Sequence, residues 1–236
     1  MNESHTPILC EIADLITQIP ASDGLAEHCK AYLYTGSKLP DITIDPARYR
    51  REAYPGGMLK EALAYMESAH QFYEQLVEHQ GFCLHASAVI LDGKAYLFSG
   101  KCGAGKSTHA RIWCETFPGA FIINDDRPAL RCIDGVWYAY GTPWCGKELI
   151  HCKAKAPIAG VCFMEQADHN AIFPMTAEEA LQAVMAQTIY KFGHPEKLDA
   201  MLQLLDHFLQ KVPLYRLQNR PEPAAAILSR QTMQGQ

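Results

Sequence analysis

The sequence predicts an α/β protein with a mixed, antiparallel-rich sheet, helices packed on that sheet and a helical C-terminal third. Three observations predict it. Apolar, β-compatible runs at 82–91 and 94–98 flank Asp92-Gly93, and runs at 129–133 and 136–140 flank Asp134-Gly135. Asp-Gly between two such runs is a strong hairpin signal, which argues against a purely parallel, doubly wound sheet. A glycine-rich stretch at 99–105 follows the second run and opens a segment with Ala110, Trp113 and Phe117 at helical spacing. From Thr176 onward, apolar residues recur at the helical period.

The elements follow in chain order. Residues 8–19 mix apolar and acidic side chains and fit either a strand or a short helix. Residues 31–34 and 42–44 read as short strands, separated by Gly36 and Pro40. Pro46, Pro55, Gly56 and Gly57 break the pattern. Leu59, Leu63, Met66, Tyr73 and Val77 share one face of a helix over 58–78. After the first hairpin, residues 106–117 form a helix that Pro118-Gly119 ends, and 120–123 form a short strand. Residues 158–164 read as a buried strand, and 165–170 as a polar turn. Thr176 and Glu179 make a capping box, in which hydroxyl and carboxylate satisfy the orphan amides of a helix start. Leu181, Val184, Met185, Ile189 and Phe192 are expected on its buried face. Gly193-His194-Pro195 breaks that helix, and Leu198, Met201, Leu202, Leu205 and Leu209 form the next stripe. The chain divides into an N-terminal α+β extension, 1–80, packed on a core, 81–236, that holds the glycine-rich loop and the C-terminal helices.

Composition narrows the class. The chain has 236 residues, 48% of them hydrophobic, enough for a sizeable core. Its formal charge of −5 disfavours nucleic acid and anionic membranes, which need a basic field. No apolar run reaches ~18 residues, so no transmembrane helix is indicated. The N-terminus lacks the basic start of a signal peptide, and a cytoplasmic location is expected. The nine cysteines include no Cys-x-x-Cys pair. Cys145, His151 and Cys152 have some metal-ligand character, but scattered reduced thiols are the expected reading.

The chemistry centres on the loop. Gly100-Lys101-Cys102-Gly103-Ala104-Gly105-Lys106-Ser107 fits the phosphate-loop pattern G-x-x-x-x-G-K-[ST] at every fixed position. Glycines let backbone amides turn inward, and those amides with the following helix N-terminus form an anion hole. Lys106 supplies a point charge to the β- and γ-phosphates of a nucleoside triphosphate. The Ser107 hydroxyl suits Mg²⁺, a hard cation. Asn124-Asp125-Asp126 ends the next strand, where α/β topology gathers strand ends beside loop glycines. One carboxylate there can hold the metal while the other orients and deprotonates an acceptor hydroxyl.

These stretches resemble a known family. Residues 84–89 (Leu-His-Ala-Ser-Ala-Val), 99–108 and 123–127 (Ile-Asn-Asp-Asp-Arg) are similar, in order, to the catalytic domain of HPr kinase/phosphorylase. That domain has a nucleotide-binding fold related to phosphoenolpyruvate carboxykinase. The match covers 82–130, about a fifth of the chain. It implies nucleotide contacts along Gly100 to Thr108, Asp125 as general base, and Asp126 with Ser107 at Mg²⁺. It also implies a functional His85, touching phosphate or holding Asp125, where the residues alone allow a core histidine. The segment that the family uses for the reverse, phosphorolytic reaction has no counterpart, so efficient phosphorolysis is not expected. The sequence is closer to small HPr-kinase-related proteins with a His-Ala-Ser-Ala strand and a Gly-Thr-Pro-Trp segment, some of which modify serines of peptides or proteins.

Residues 141–147 (Gly-Thr-Pro-Trp-Cys-Gly-Lys) form a second dense loop. Lys147 there can neutralise charge on a transferring phosphoryl group, and Trp144 can either stack on a ligand or fill the core. Arg127 and Arg131 are further candidates for phosphate contact, and His109 is expected on the helix surface. The expected activity is ATP- and Mg²⁺-dependent phosphorylation of a hydroxyl, a serine of a protein or peptide. A small-molecule kinase, a nucleotide-binding regulator without turnover and a carboxykinase are the alternatives. The C-terminal helices are candidates for a homo-oligomer interface.

Overall fold

The computed structural model describes residues 7–20, 23–49, 60–188 and 195–234. The chain opens with strands β1 (Ile8–Ile12) and β2 (Leu15–Ile19), helix α1 (Asp23–Cys29), a 3-10 turn at Lys30–Tyr32, strand β3 (Ile42–Thr43) and helix α2 (Lys60–Leu76). Residues 8–19 are therefore a hairpin. Its turn residues, Ala13 and Asp14, have φ of 53° and 59° without a glycine. Distant side chains hold that turn: Arg131 donates to the Ala13 carbonyl at 2.6 Å, and Tyr140 donates to the Asp14 carboxylate at 2.7 Å. The strand expected at 31–34 is instead a 3-10 turn followed by a single bridge from Leu33 to Cys10. The helix expected over 58–78 is described from Lys60, and Leu59 lies outside the described residues.

The main sheet begins with β4 (Gly81–Cys83), β5 (Ala86–Leu91) and β6 (Lys94–Ser99), followed by α3 (Lys106–Thr116) and β7 (Phe121–Asn124). Strands β8 (Ala129–Ile133), β9 (Val136–Tyr140) and β10 (Lys155–Gln166) continue it. The expected strand 82–91 is split at Leu84-His85, because β4 pairs with β8 whereas β5 pairs with β6 and β7. Both Asp-Gly turns have two positive φ angles, 51° and 73° at Asp92-Gly93 and 49° and 80° at Asp134-Gly135. That backbone matches the right-handed twist of the flanking strands.

The C-terminal third is less uniformly helical than its apolar stripes suggest. Strand β11 (Ala171–Pro174) and helices α4 (Ala177–Gln187) and α5 (Pro195–Lys211) precede β12 (Leu214–Asn219) and α6 (Pro223–Gln234). Strand β12 lies parallel to β10 and antiparallel to β11, so the molecule is a mixed α/β structure with both strand senses in one sheet. The capping box at Thr176 and Glu179 is present. Of the two expected stripes, Val184, Met201 and Leu205 are buried, whereas Leu181, Met185 and Leu202 are exposed. Ile189 and Phe192 lie outside the described residues.

Alternation along β5 explains the layering. Ala86, Ala88 and Ile90 face a core completed by Phe208 of α5, while Val89 and Leu91 face a core completed by Trp113 of α3 and Met233 of α6. The sheet is thus apolar on both faces, as its unbroken apolar runs require. A third core joins β1, β2 and α2 to Cys83, Ala129, Tyr140 and Trp144, so residues before 80 share side-chain packing with the main sheet.

Candidate active site

Strand β6 runs parallel to β10, and antiparallel pairing of β5 with both β6 and β7 gives β7 the same sense. The C-terminal ends of β6 and β7 therefore lie at one edge, with the start of β5 between them. That edge receives the loop after Ser99, the Asn124-Asp125-Asp126 turn and His85.

The glycine-rich loop turns sharply into α3. Gly100 has φ of 142°, and a Cβ there would sit 2.9 Å from the Met164 carbonyl oxygen, so β10 leaves no room for a side chain. Gly105 caps α3 with φ of 92°, in the left-handed region that favours glycine. Lys106 is buried, and its ammonium donates to the carbonyls of Gly100 at 3.0 Å and Lys101 at 3.3 Å. Burial lowers its pKa below the ordinary lysine value, and the Asp126 and Asp125 carboxylates counter only part of that effect. Ser107 is half-buried, while Lys101, Cys102, Gly103 and Thr108 are exposed, with Ala104 between them. Gln166, at the end of β10, donates to the Gly103 carbonyl at 2.8 Å and braces the loop.

The two aspartates have different surroundings. Asp125 is buried, and its Oδ1 accepts a 2.7 Å hydrogen bond from Ser87. Register explains the pair, since Ala88 sits opposite Asn124, which brings Ser87 beside the next residue. Asp126 Oδ1 lies 2.9 Å from His85 Nε2, and its Oδ2 accepts from Arg127 Nε at 3.2 Å. Burial would raise the Asp126 pKa, but the His85 hydrogen bond and the Arg127 charge outweigh it and hold the carboxyl below its usual value. His85 thus grips Asp126, not Asp125 as the family pattern allowed.

Asn124 ties this turn to the second loop. Its side-chain carbonyl accepts from the backbone of Asp126 at 2.9 Å and of Arg127 at 2.6 Å, while its amide donates to Thr142 O, Thr142 Oγ1 and Trp144 O. Gly141 is required for close approach, because a Cβ there would collide with the Cys152 carbonyl and lie 2.6 Å from the Ile123 carbonyl. A Cβ at Gly146 would lie 3.5 Å from Asp126 Cβ, so this loop rests on the aspartate turn. Lys147 follows it and is exposed.

The structure decides between several open sequence readings and corrects one, the surface position expected for His109. Trp144 is fully buried against Phe72 and Tyr73 and donates to Ser68 at 3.0 Å, so it is core and unavailable for stacking on a ligand. Arg131 points away from the loop, to the His79 and Ala13 carbonyls. His109 is buried, edge-on to Phe98 and 3.2 Å from Ser229 Oγ, and burial pushes its pKa down to about 4. Its helix neighbours include the loop's own Thr108, but α6 covers its face. The sequence assigns no role to Ser87, Asn124, Gln166 or Gln187, the last of which holds His85 by its carbonyl at 2.8 Å and its side chain at 3.3 Å. Of these, only Ser87 and Asn124 lie inside the motif stretches.

On the other flank of the loop, a cavity of about 480 Å³ separates residues 100–104 from α4. Phe163, Met164, Met175 and Ala183 give it apolar walls, and Lys101, Arg216 and Glu165 are its charged lining residues.

No family model matches this sequence, and no curated protein matches it. Among solved structures, the HPr(Ser) kinase/phosphatase from Coxiella burnetii is similar to this chain with a TM-score of 0.36 and 11% identity, over 65% of this chain and 99% of that one. Among the described residues no helix is long and apolar enough to cross a membrane.

Proposed function

We propose that this chain is an ATP- and Mg²⁺-dependent phosphotransferase acting on a hydroxyl, specifically a serine of a protein or peptide. The observation that carries the reading is the meeting, at one sheet edge, of the Lys106 loop with two aspartates held by different partners. The residues fit the groups this requires. The buried Lys106 ammonium has only neutral carbonyls as hydrogen-bond partners among the described residues, an arrangement that phosphate oxygens improve. Ser107 and Asp126 offer oxygen donors suited to a hard cation. Each Asp126 oxygen keeps a free lone pair beside its bond to His85 or Arg127. The apolar cavity beside the loop has the size and lining for a nucleoside.

In this reading the amides of Gly100 to Thr108 bind phosphates, and Lys106 leaves the loop carbonyls for the β- and γ-phosphates. When bound, Mg²⁺ neutralises charge that builds on the transferring phosphoryl group. Asp125 accepts the proton of the acceptor hydroxyl as the hydroxyl oxygen bonds to the γ-phosphorus and the bond from that phosphorus to the bridging oxygen of ADP breaks, and Ser87 aims the Asp125 carboxylate. His85 acts through Asp126 and is a positioning residue. Lys147 follows Gly146, which rests on the aspartate turn, and in this reading it neutralises charge developing on the transferring phosphoryl group.

Incubation with γ-labelled ATP, Mg²⁺ and a cell lysate tests this. Label is expected on serine of a protein or peptide. Label confined to a small molecule would favour a metabolite kinase. Absence of both transfer and ATP turnover would overturn the enzymatic reading.

A further inference from the structure

Fold brings His28 beside two side chains more than a hundred residues further along the chain. His28 comes from α1, and Cys145 and His151 from the loop between β9 and β10, and their ligating atoms all lie within 4.8 Å of one another. We propose that His28, Cys145 and His151 bind one Zn²⁺ ion that clamps α1 onto the loop supporting Asp125 and Asp126. This site is independent of the phosphotransferase reading.

The donor set is one thiolate and two imidazoles, which suits a borderline-soft divalent ion in tetrahedral geometry with a fourth position for water. With Zn–S near 2.3 Å and Zn–N near 2.0 Å, tetrahedral ligand atoms sit roughly 3.3–3.6 Å apart. Side-chain rotations moving each atom by about 1 Å or less close the cluster to that size. Cys145 is buried whereas both histidines are half-buried, so the ion enters from the histidine side.

The surroundings resemble the supporting hydrogen bonds that orient metal-bound histidines. Tyr32 Oη lies 3.1 Å from His151 Nδ1, and the two rings stack at 5.7 Å. When His151 Nδ1–H donates to the Tyr32 oxygen, Nε2 carries the lone pair that a metal needs. The His28 ring packs on Tyr65 at 4.8 Å. Tyr65 in turn brackets Cys145, accepting from its amide at 2.6 Å and donating to its carbonyl at 3.0 Å. Cys152, the other thiol of this stretch, is not part of the cluster, as its Sγ–H points to the Ile122 carbonyl at 3.9 Å.

The site would be felt at the aspartates. His151 bridges to Asn124, and the Asp125 amide donates to the Ile150 carbonyl at 3.2 Å. A metal joining His151 to Cys145 therefore closes the loop across the turn that carries both carboxylates.

The test is metal titration of the full chain after stripping with a chelator. Zn²⁺ competed against a chromophoric chelator should bind at one equivalent per chain. Co²⁺ in its place should show a thiolate-to-metal charge-transfer band and the intense visible bands of a tetrahedral centre. Cys145→Ser should abolish the charge-transfer band, His28→Gln should weaken affinity at least tenfold, and Cys132→Ser should leave both unchanged. Absence of stoichiometric binding, or a charge-transfer band that survives Cys145→Ser, would overturn the site. If Cys145→Ser does not fold, His28→Gln decides: unaltered affinity in that variant equally refutes the proposal.

Discussion

His85 Nε2 meets Asp126 Oδ1 at 2.9 Å across the gap between the start of β5 and the end of β7. The same residue is anchored three times more, its amide donating to Gln187 O at 2.8 Å, its carbonyl accepting from Ser99 Oγ at 2.9 Å and its ring Nδ1 lying 3.3 Å from Gln187 Oε1. A histidine fixed at backbone and ring holds one carboxylate in a set orientation. Loss of such a supporting group at a metal ligand typically costs 10–100-fold. His85→Ala is expected to raise the Mg²⁺ concentration needed for half-maximal activity by about that factor. Metal-free nucleotide affinity should stay nearly constant. His85→Gln, which keeps an N–H donor, should recover part of the loss in a Mg²⁺ titration, whereas a merely structural role would show no such recovery.

The two aspartates should separate in kinetics. Asp126→Asn is expected to raise the Mg²⁺ requirement. Asp125→Asn should leave nucleotide binding nearly intact and slow transfer by ~10²–10⁴-fold, the usual loss of a general base. Steady-state kinetics with a nucleotide-binding titration checks both. Lost binding with an intact saturated rate in Asp125→Asn would reverse the roles.

Lys106→Ala removes the one charge specified by the loop pattern. Weaker ATP binding and no measurable transfer are expected. Nucleotide titration with Mg²⁺ present decides, and wild-type affinity and turnover would disprove the loop's assignment.

Asn124 makes hydrogen bonds to both the aspartate turn and the 141–147 loop from a fully buried position. In Asn124→Ala the Asp126 and Arg127 amides and the carbonyls of Thr142 and Trp144 lose that partner. A destabilisation of roughly 2–4 kcal/mol is expected from stranding buried polar groups. Urea unfolding of the two proteins measures it, and a loss below about 1 kcal/mol would mean that the loops re-pair without Asn124.

The buried His109 should make stability depend on pH. Its folded-state pKa lies at about 4, below the 6.5 of an ordinary histidine. Between those values the unfolded chain binds a proton that the folded chain refuses. This contribution is therefore complete above pH 6.5 and is lost as pH falls toward 4. The expected loss from His109 is about 2 kcal/mol between pH 7 and pH 5. In the metal-free chain His28 and His151 are also lowered by burial, so they add in the same direction. The difference between wild type and His109→Gln isolates the one residue. An equal fall in unfolding free energy from pH 7 to pH 5 in wild type and His109→Gln would refute it.

Local chemistry made some features legible in advance. Asp-Gly encodes a turn with two positive φ angles, and both hairpins appear where those dipeptides stand. The capping box at Thr176 is equally local, since all its atoms lie within four residues. The glycine-rich segment was legible as a strand-to-helix loop because its spacing is a backbone requirement. Period alone misled where two outcomes share it. Leu181 and Met185 belong to a helical stripe, yet α4 buries Ala180 and Val184 and packs Ala183 partly against the core. The strand at Leu214–Asn219 was hidden because its alternation includes Arg216, Gln218 and Asn219.

By itself, then, the sequence determined the hairpins, the loop and the nearness of two carboxylates to it, because each rests on contacts short in sequence or on chain direction. Only the tertiary structure decided which partner each polar side chain takes. It gave His85 to Asp126, Ser87 to Asp125, Arg131 to the Ala13 turn and Trp144 to the core. It also brought His28 to Cys145 across more than a hundred residues. The physical reason is that a buried donor or acceptor must be satisfied by whatever the packed layers place within about 3 Å. That identity depends on strand register and layer packing, which spacing along the chain does not encode.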